Sequence, residues 1–345
     1  MWFQLFMSGF ISLGLSGDLL EGERTRIHYG DLGCWNDPSA EAGYQVRFVD
    51  DWVEVSYAGA PYFLFAIAYE QGGETIHRYI VSSLAPEASS PGSPPPSEWE
   101  ETGDIVLEDA DYSATGEWAT AHLVHKDGDL RIDRIETWEM DSLVIHVQLN
   151  FSNLGDEPLT NLMFLYAFES DPENNSAADH MDQSSNDVKD LDGDGLNDWV
   201  ESAGITLGYS TGIGVCQEDG VDLGHFGEWG GVRHADVTLL DENGEAKDWA
   251  MGLRTFFDGD LLPGDSYETD FLVVAGTTPE DTRTNYLDHM NLCEQGEDTS
   301  THHQDDNLGF IDSDDEGCQG CAGYPHSTVI PIWLGLIGLS RRKRA

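Results

Sequence analysis

Apolar and polar positions alternate in short runs from Asp18 to Cys293, with Gly, Asp, Asn and Pro between the runs. The clearest run is 142–151, where Leu143, Ile145, Val147, Leu149 and Phe151 alternate with Val144, His146, Gln148 and Asn150, a period of two that predicts a half-buried strand. Leu162-Met163-Phe164-Leu165-Tyr166 is apolar at both parities and suits a central strand within 161–168. Further strands are predicted over 44–49, 52–57, 62–69, 75–81, 118–125, 130–138, 236–240, 249–257 and 267–275. One helix is predicted near the end of this region. Thr278 caps it, Pro279 fits its first turn, Glu280 and Asp281 suit the positive end of its dipole, and Tyr286, Met290 and Cys293 share a face. Strands at this spacing without interleaved helices predict an all-β fold, a large antiparallel β-sandwich over 18–293 with one C-terminal helix capping an end and a long calcium-binding loop.

The ends break this pattern. Residues 1–17 are apolar and uncharged and finish in small residues, as the core and cleavage zone of a secretory signal peptide do. Residues 86–99 form a Pro/Ser-rich surface excursion. Residues 294–317 are an acidic tether containing His302 and His303, which read as solvated. Residues 318–345 carry Cys318 and Cys321 in a Gly-rich cluster, then a short apolar stretch, then Arg341, Arg342, Lys343 and Arg344. The terminal bases would hold this end on the cytoplasmic side during export. Small-residue Cys motif, hydrophobic segment and Arg run, in that order, resemble the MYXO-CTERM sorting region of myxobacterial surface proteins. The resemblance implies processing at Cys318 or Cys321 by a sorting protease and anchoring at the membrane, hence an exported protein at the cell surface or outside the cell.

The 345 residues hold 65 acidic and 16 basic side chains, a net charge of -49 at pH 7. Nucleic acid is excluded as a partner, because phosphate binding needs clustered Lys and Arg. So acidic a body favours counterions or bound cations. The three cysteines of the body, Cys34, Cys216 and Cys293, predict one disulfide and one leftover thiol, the pairing open.

One motif carries chemistry. Asp190, Asp192, Asp194, Asp198 and Glu201 fall at positions 1, 3, 5, 9 and 12 of a loop with Gly195 at position 6. Ca²⁺ seeks six to eight hard oxygens, and this spacing turns those carboxylates and the Leu196 carbonyl onto one ion. The preceding SSNDVK lacks the apolar face of an entering EF-hand helix, and no second copy exists. In this the motif resembles the Asp-rich Ca²⁺ loops of thrombospondin type 3 repeats, which implies a structural ion. Upstream, Asp171, Glu173, Asp179 and Asp182 crowd the same stretch and suggest a second ion, with 169–204 read as one long Ca²⁺-ordered loop.

Signals for an enzyme are weak. Gly208-Tyr209-Ser210-Thr211-Gly212 matches a nucleophile elbow, yet no parallel α/β sheet is predicted to hold it. His225, Glu228, Trp229 and His234 lie in a Gly-rich connection read as a turn. The expectation is a calcium-binding surface protein with a structural or binding role, its ligand a glycan or another surface protein. The alternative is a carbohydrate-binding module or hydrolase on the same scaffold.

Overall fold

The computed structural model describes residues 18–35, 43–48, 52–55, 63–84, 99–170, 184–191, 193–204, 207–217, 220–227, 232–241, 245–247 and 249–294. The signal-like segment, the sorting region with Cys318 and Cys321, the acidic tether beyond Glu294, the residues Asp171, Glu173, Asp179 and Asp182, and Asp192 lie outside the described residues.

In chain order the strands are β1 (Asp18–Glu21), β2 (Thr25–Tyr29), β3 (Tyr44–Arg47), β4 (Trp52–Glu54), β5 (Phe63–Gln71), β6 (Glu74–Leu84), β7 (Trp99–Gly103) and β8 (Val106–Thr115). Then follow β9 (Trp118–Asp127), β10 (Leu130–Glu139), β11 (Val144–Asn153), β12 (Thr160–Glu169), β13 (Ser184–Lys189) and β14 (Trp199–Gly204). The last are β15 (Ser210–Val215), β16 (Val221–Phe226), β17 (Glu245–Lys247), β18 (Ala250–Phe256) and β19 (Ser266–Gly276), with helices α1 (Pro279–His289) and α2 (Asn291–Glu294). They form three antiparallel sheets: β1-β2-β3-β4, the nine-stranded β17-β13-β14-β15-β19-β11-β10-β9-β8, and the six-stranded β16-β18-β12-β5-β6-β7.

The two larger sheets face each other across one apolar core. Phe63, Phe65 and Ile67 of β5 and Phe164 and Tyr166 of β12 meet Ile132, Ile145, Val147, Phe151, Phe271 and Val273 from the nine-stranded sheet. The alternation read in 142–151 is the inner face of β11, and β12 runs between β5 and β18 as a central strand. Its outward parity is buried as well. Leu165 and Ala167, with Leu64, Ala66 and Val81, lie under Val232, Ala235, Val237 and Leu239.

That covering segment corrects one expectation. Residues 236–240 are not a strand: they cross the outer face of the six-stranded sheet, and only Leu240 bridges, to His225. The apolar alternation there is packing of an irregular segment on a sheet. Edge strand β8 is mostly exposed and carries Glu108, Asp109 and Asp111. Charge on an open edge discourages pairing with another chain.

A polar knot ties the four-stranded sheet to this core. The inward side of β10 includes Arg134 and Glu136, 1% and 0% exposed. Glu136 lies 3.1 Å from Arg134 and accepts hydrogen bonds from Tyr29 Oη at 2.5 Å and Trp35 Nε1 at 2.9 Å. Arg134 also donates to the Gly33 carbonyl. A buried charge survives only when paired and hydrogen-bonded in this way. Cys34, next in sequence, is buried and free, while Cys216 and Cys293 form the one disulfide among the described residues.

Candidate metal centre

The Asp-rich motif is not part of one long loop. Ser184–Lys189 and Trp199–Gly204 pair as a hairpin with Val188 opposite Val200, so the connection shrinks to 190–198. The hairpin lies toward the edge of the nine-stranded sheet, with β14 held by β15 on its other side. Hydrophobic periodicity misses these strands because the inward side of the hairpin is largely polar: Asn186 and Ser202 are fully buried and satisfy each other, Ser202 Oγ donating to Asn186 Oδ1 at 2.8 Å.

Within the connection the acidic side chains organise the backbone. Asp190 Oδ1 accepts from the Gly193 N–H at 2.5 Å and Oδ2 from the Gly195 N–H at 2.8 Å. Both glycines have positive φ, 86° and 100°, which a residue with a Cβ adopts only under strain. Asp194 Oδ1 accepts from Leu196 N–H at 2.8 Å, and Asp198 Oδ1 from Leu191 N–H at 2.9 Å. The two N–H bonds fix the orientation of the Asp190 carboxylate. Asp190, Asp194 and the 48%-exposed Leu196 lie at the exposed tip, whereas Asp198 is buried at the base. The donor set is all oxygen, which fits a hard divalent cation such as Ca²⁺.

Glu201, the twelfth position, has a different setting. It sits on β14, 3% exposed, with Oε2 accepting from Trp199 Nε1 at 2.6 Å and Oε1 from Arg283 Nη1 at 2.7 Å. Burial raises its pKa, and the Trp199 hydrogen bond and the Arg283 charge oppose that rise. The carboxylate therefore joins the hairpin to α1. The predicted cap is present: Thr278 Oγ1 accepts from Asp281 N–H at 3.1 Å, with Pro279 in the first turn. The helix covers a face rather than an end, packing on β19, β15, β11 and β14. Tyr286 lies against Trp199, ring centroids 5.0 Å apart, and its hydroxyl donates to the Val215 carbonyl at 2.7 Å. Both rings need glycine beneath them, because a Cβ on Gly212 would overlap Trp199 and one on Gly214 would overlap Tyr286. Leu191, Cys216, Met290, Leu292 and Cys293 complete this cluster, so loop, helix and disulfide share one apolar patch.

The other sequence candidates sit elsewhere. Ser210 opens β15 in an antiparallel sheet and is fully buried, so Gly208 to Gly212 is a turn entering a strand and no nucleophile elbow. His225 is fully buried on β16 and donates from Nε2 to the Glu201 carbonyl at 3.1 Å. His234 pairs with Asp236 at 2.5 Å, both half exposed, and Glu228 and Trp229 lie outside the described residues. A groove of about 590 Å³ that sequence reading did not find opens between β18 and β19. Phe256, 42% exposed, lines it together with Phe257 and Tyr267, whose rings stack at 8° and 5.0 Å, and with Gln217, Asp258 and Glu268. Its aromatic residues belong to different strands, so no motif announces it.

No protein-family model and no curated protein matches the chain. Among solved structures, a polysaccharide lyase is similar at 13% identity and a TM-score of 0.43, covering 81% of this chain and 35% of that one. The α-galactosidase AgaA of Geobacillus stearothermophilus is similar at 10% identity and a TM-score of 0.40, covering 78% of this chain and 42% of that one. A TPR-domain containing protein of Parabacteroides distasonis gives 8% identity and a TM-score of 0.39 over 76% of this chain and 47% of that one. The chain thus spans less than half the length of each, and nothing about its activity follows from them. No helix among the described residues is long and apolar enough to cross a membrane. The chain is an all-β protein built as an antiparallel sandwich.

Proposed function

We propose that this chain is an exported, surface-anchored β-sandwich whose 190–198 loop holds a structural Ca²⁺, with a binding or scaffolding role and no catalytic one. The observation that carries the reading is the loop backbone closed on the Asp190 carboxylate through the N–H groups of Gly193 and Gly195. Asp190, Asp192, Asp194 and the Leu196 carbonyl would hold the ion, with Asp198 reaching it through water. Glu201 would coordinate only by releasing Arg283 and Trp199, so its part is to anchor the outgoing strand. Export is supported by the Cys216–Cys293 disulfide, since such bonds persist in oxidising compartments. The sorting protease and the membrane remain the partners implied by residues 318–345.

Isothermal calorimetry on the full chain tests the ion. With a dissociation constant of about 10⁻⁴ to 10⁻³ M, as in extracellular modules, 10 mM Ca²⁺ should stabilise the fold by about 1.4 to 2.7 kcal/mol. Asp192→Ala and Asp194→Ala should abolish both heat and stabilisation, whereas Glu201→Gln should lower the melting temperature yet still bind. A titration unchanged by Asp192→Ala and Asp194→Ala would refute the site.

A second reading is favoured by the groove at Phe256. Flat aromatic faces beside carboxylates and an amide suit a sugar, whose C–H faces stack while its hydroxyls hydrogen-bond. Binding on a glycan array that Phe256→Ala abolishes would identify the surface ligand as carbohydrate; an array with no signal would remove this reading.

A further inference from the structure

The outer face of the nine-stranded sheet holds a second group of metal-ligating side chains, on three neighbouring strands. On β11, His146 stands opposite Leu272 of β19, which places Asp270 diagonally beside it on the same face. Their side chains meet, His146 Nε2 and Asp270 Oδ2 lying 2.8 Å apart and both largely buried. Val215 of β15 is opposite Phe271, so the next residue, Cys216, arrives beside Asp270. One ligand atom from each of His146, Cys216 and Asp270 falls within 4.8 Å of the others. The disulfide brings a fourth candidate to the same place: Cys293, from α2, is bonded to Cys216.

In the oxidised protein the disulfide sulfurs are poor ligands, because the thiolate is the metal-binding form. Reduction changes the donor set. We propose that cleavage of the Cys216–Cys293 disulfide by a thiol reductant converts this position into a four-ligand Zn²⁺ site of His146, Asp270, Cys216 and Cys293. The chemistry balances: two thiols give two electrons and two protons to the disulfide and become a disulfide themselves. Zn²⁺ then binds the two cysteines as thiolates, releasing their two protons. One nitrogen, one carboxylate oxygen and two sulfurs give four donors of the types zinc binds, enough for a tetrahedral shell. With Zn–S bonds of about 2.3 Å the sulfurs must separate to roughly 3.8 Å. Cys293 is placed to make that move, because it lies on the four-residue α2, which belongs to none of the three sheets. His146 and Asp270 are held by central strands and need only exchange their mutual hydrogen bond for the metal. The consequence is a replaceable staple: the disulfide fastens the chain after α1 to the sheet when oxidised, and Zn²⁺ fastens it when reduced.

Co²⁺ as a spectroscopic substitute for zinc provides the test, on full-length chain carrying Cys318→Ser and Cys321→Ser so that the C-terminal pair contributes nothing, and with 5 mM Ca²⁺ to fill acidic sites. Reduced protein should take up one Co²⁺ with thiolate charge-transfer absorption in the near ultraviolet and strong tetrahedral visible bands. Zn²⁺ should bleach both, and oxidised protein should show neither. Cys293→Ser, which leaves the Cys216 thiolate alone, should about halve the charge-transfer band of the disulfide-free protein, Cys216→Ser/Cys293→Ser should abolish it, and His146→Gln and Asp270→Asn should each weaken Co²⁺ binding at least tenfold. Circular dichroism keeps the folded fraction in view. If the reduced, folded protein shows no thiolate–Co²⁺ band, or if the band survives both His146→Gln and Asp270→Asn, the proposal is overturned.

Discussion

Two buried histidines should make the fold acid-labile well above the range in which its carboxylates titrate. His125 and His225 are 1% and 0% exposed. Burial, aided by the Arg134 charge, pushes His125 down to about 3 against the Leu32 carbonyl and Asp133; burial pushes His225 down to about 4 against the Glu201 carbonyl and Asp187. An unfolded-state histidine titrates near 6.5. As pH falls below that value the unfolded chain takes up protons that the folded chain refuses, so stability is present above pH 6.5 and is lost on the way down to the folded-state values. Between pH 8 and pH 5 each histidine costs about 2 kcal/mol, and the figure hardly depends on whether the folded value is 3 or 4, because both leave the ring neutral at pH 5. The pair costs about 4 kcal/mol, a large part of the roughly 5 to 15 kcal/mol by which such domains are stable. Burial raises the pKa of Glu101 and Glu201, and these work in the opposite sense, gaining protons in the folded state as pH falls. The decisive quantity is therefore a difference of slopes. Urea unfolding followed by tryptophan fluorescence, at constant salt and Ca²⁺, should show wild type losing about 4 kcal/mol more from pH 8 to pH 5 than His125→Gln/His225→Gln, whose amides keep a donor for the two carbonyls. Parallel slopes in the two proteins would refute the reasoning.

Three further outcomes are expected from chemical or thermal unfolding. Glu136→Ala strands Arg134 in the core and should cost about 3 to 5 kcal/mol, while Arg134→Met/Glu136→Leu, which removes both charges, should cost much less. Gly214→Ala drives a methyl into the Tyr286 ring and should cost about 1 to 3 kcal/mol, with Tyr286→Ala no longer additive to it. Thr278→Ala removes the cap of α1 and should cost about 1 kcal/mol, with Thr278→Ser close to wild type.

What the sequence disclosed follows the physics of each region. Where one face of a strand meets the apolar core, as in β10, β11 and β12, period two or a doubly apolar run marks the element within a residue or two. The α1 cap is legible because capping is local chemistry. Around the candidate metal centre the interior is built differently. Asn186, Ser202 and His225 fill the inner side with mutual hydrogen bonds, and glycines under Trp199 and Tyr286 replace side chains with rings from other elements. Neither device leaves a hydrophobic period, so β13 and β14 read as part of a long loop and no strand is predicted at β15. The acidic motif itself is visible, but its backbone setting is not: position 12 of the spacing lands on a strand, where Arg283, 82 residues away in sequence, claims the carboxylate. No spacing rule contains that pairing.

The charge imbalance gains a structural meaning from where the few bases go. Arg26, Arg78, Lys126, Arg131, Arg134, Lys189, Arg254 and Arg283 each lie in an ion pair, several of which join separate elements. The bases thus fasten elements together: Arg283 ties α1 to the β13–β14 hairpin, Arg78 ties β6 of one sheet to Asp127 of the other, and Arg254 ties β18 to β16. Little positive charge is left to offset the remaining carboxylates, which stand on exposed positions such as the β8 edge and the tip of 190–198. Repulsion among those groups is screened over about 10 Å at 0.1 M salt, so the surface tolerates it in saline surroundings. At the loop tip the repulsion is concentrated between residues a few positions apart, where monovalent salt screens it least. A divalent cation held there, as proposed, would relieve the repulsion that the fold creates by placing the acids on so short a connection.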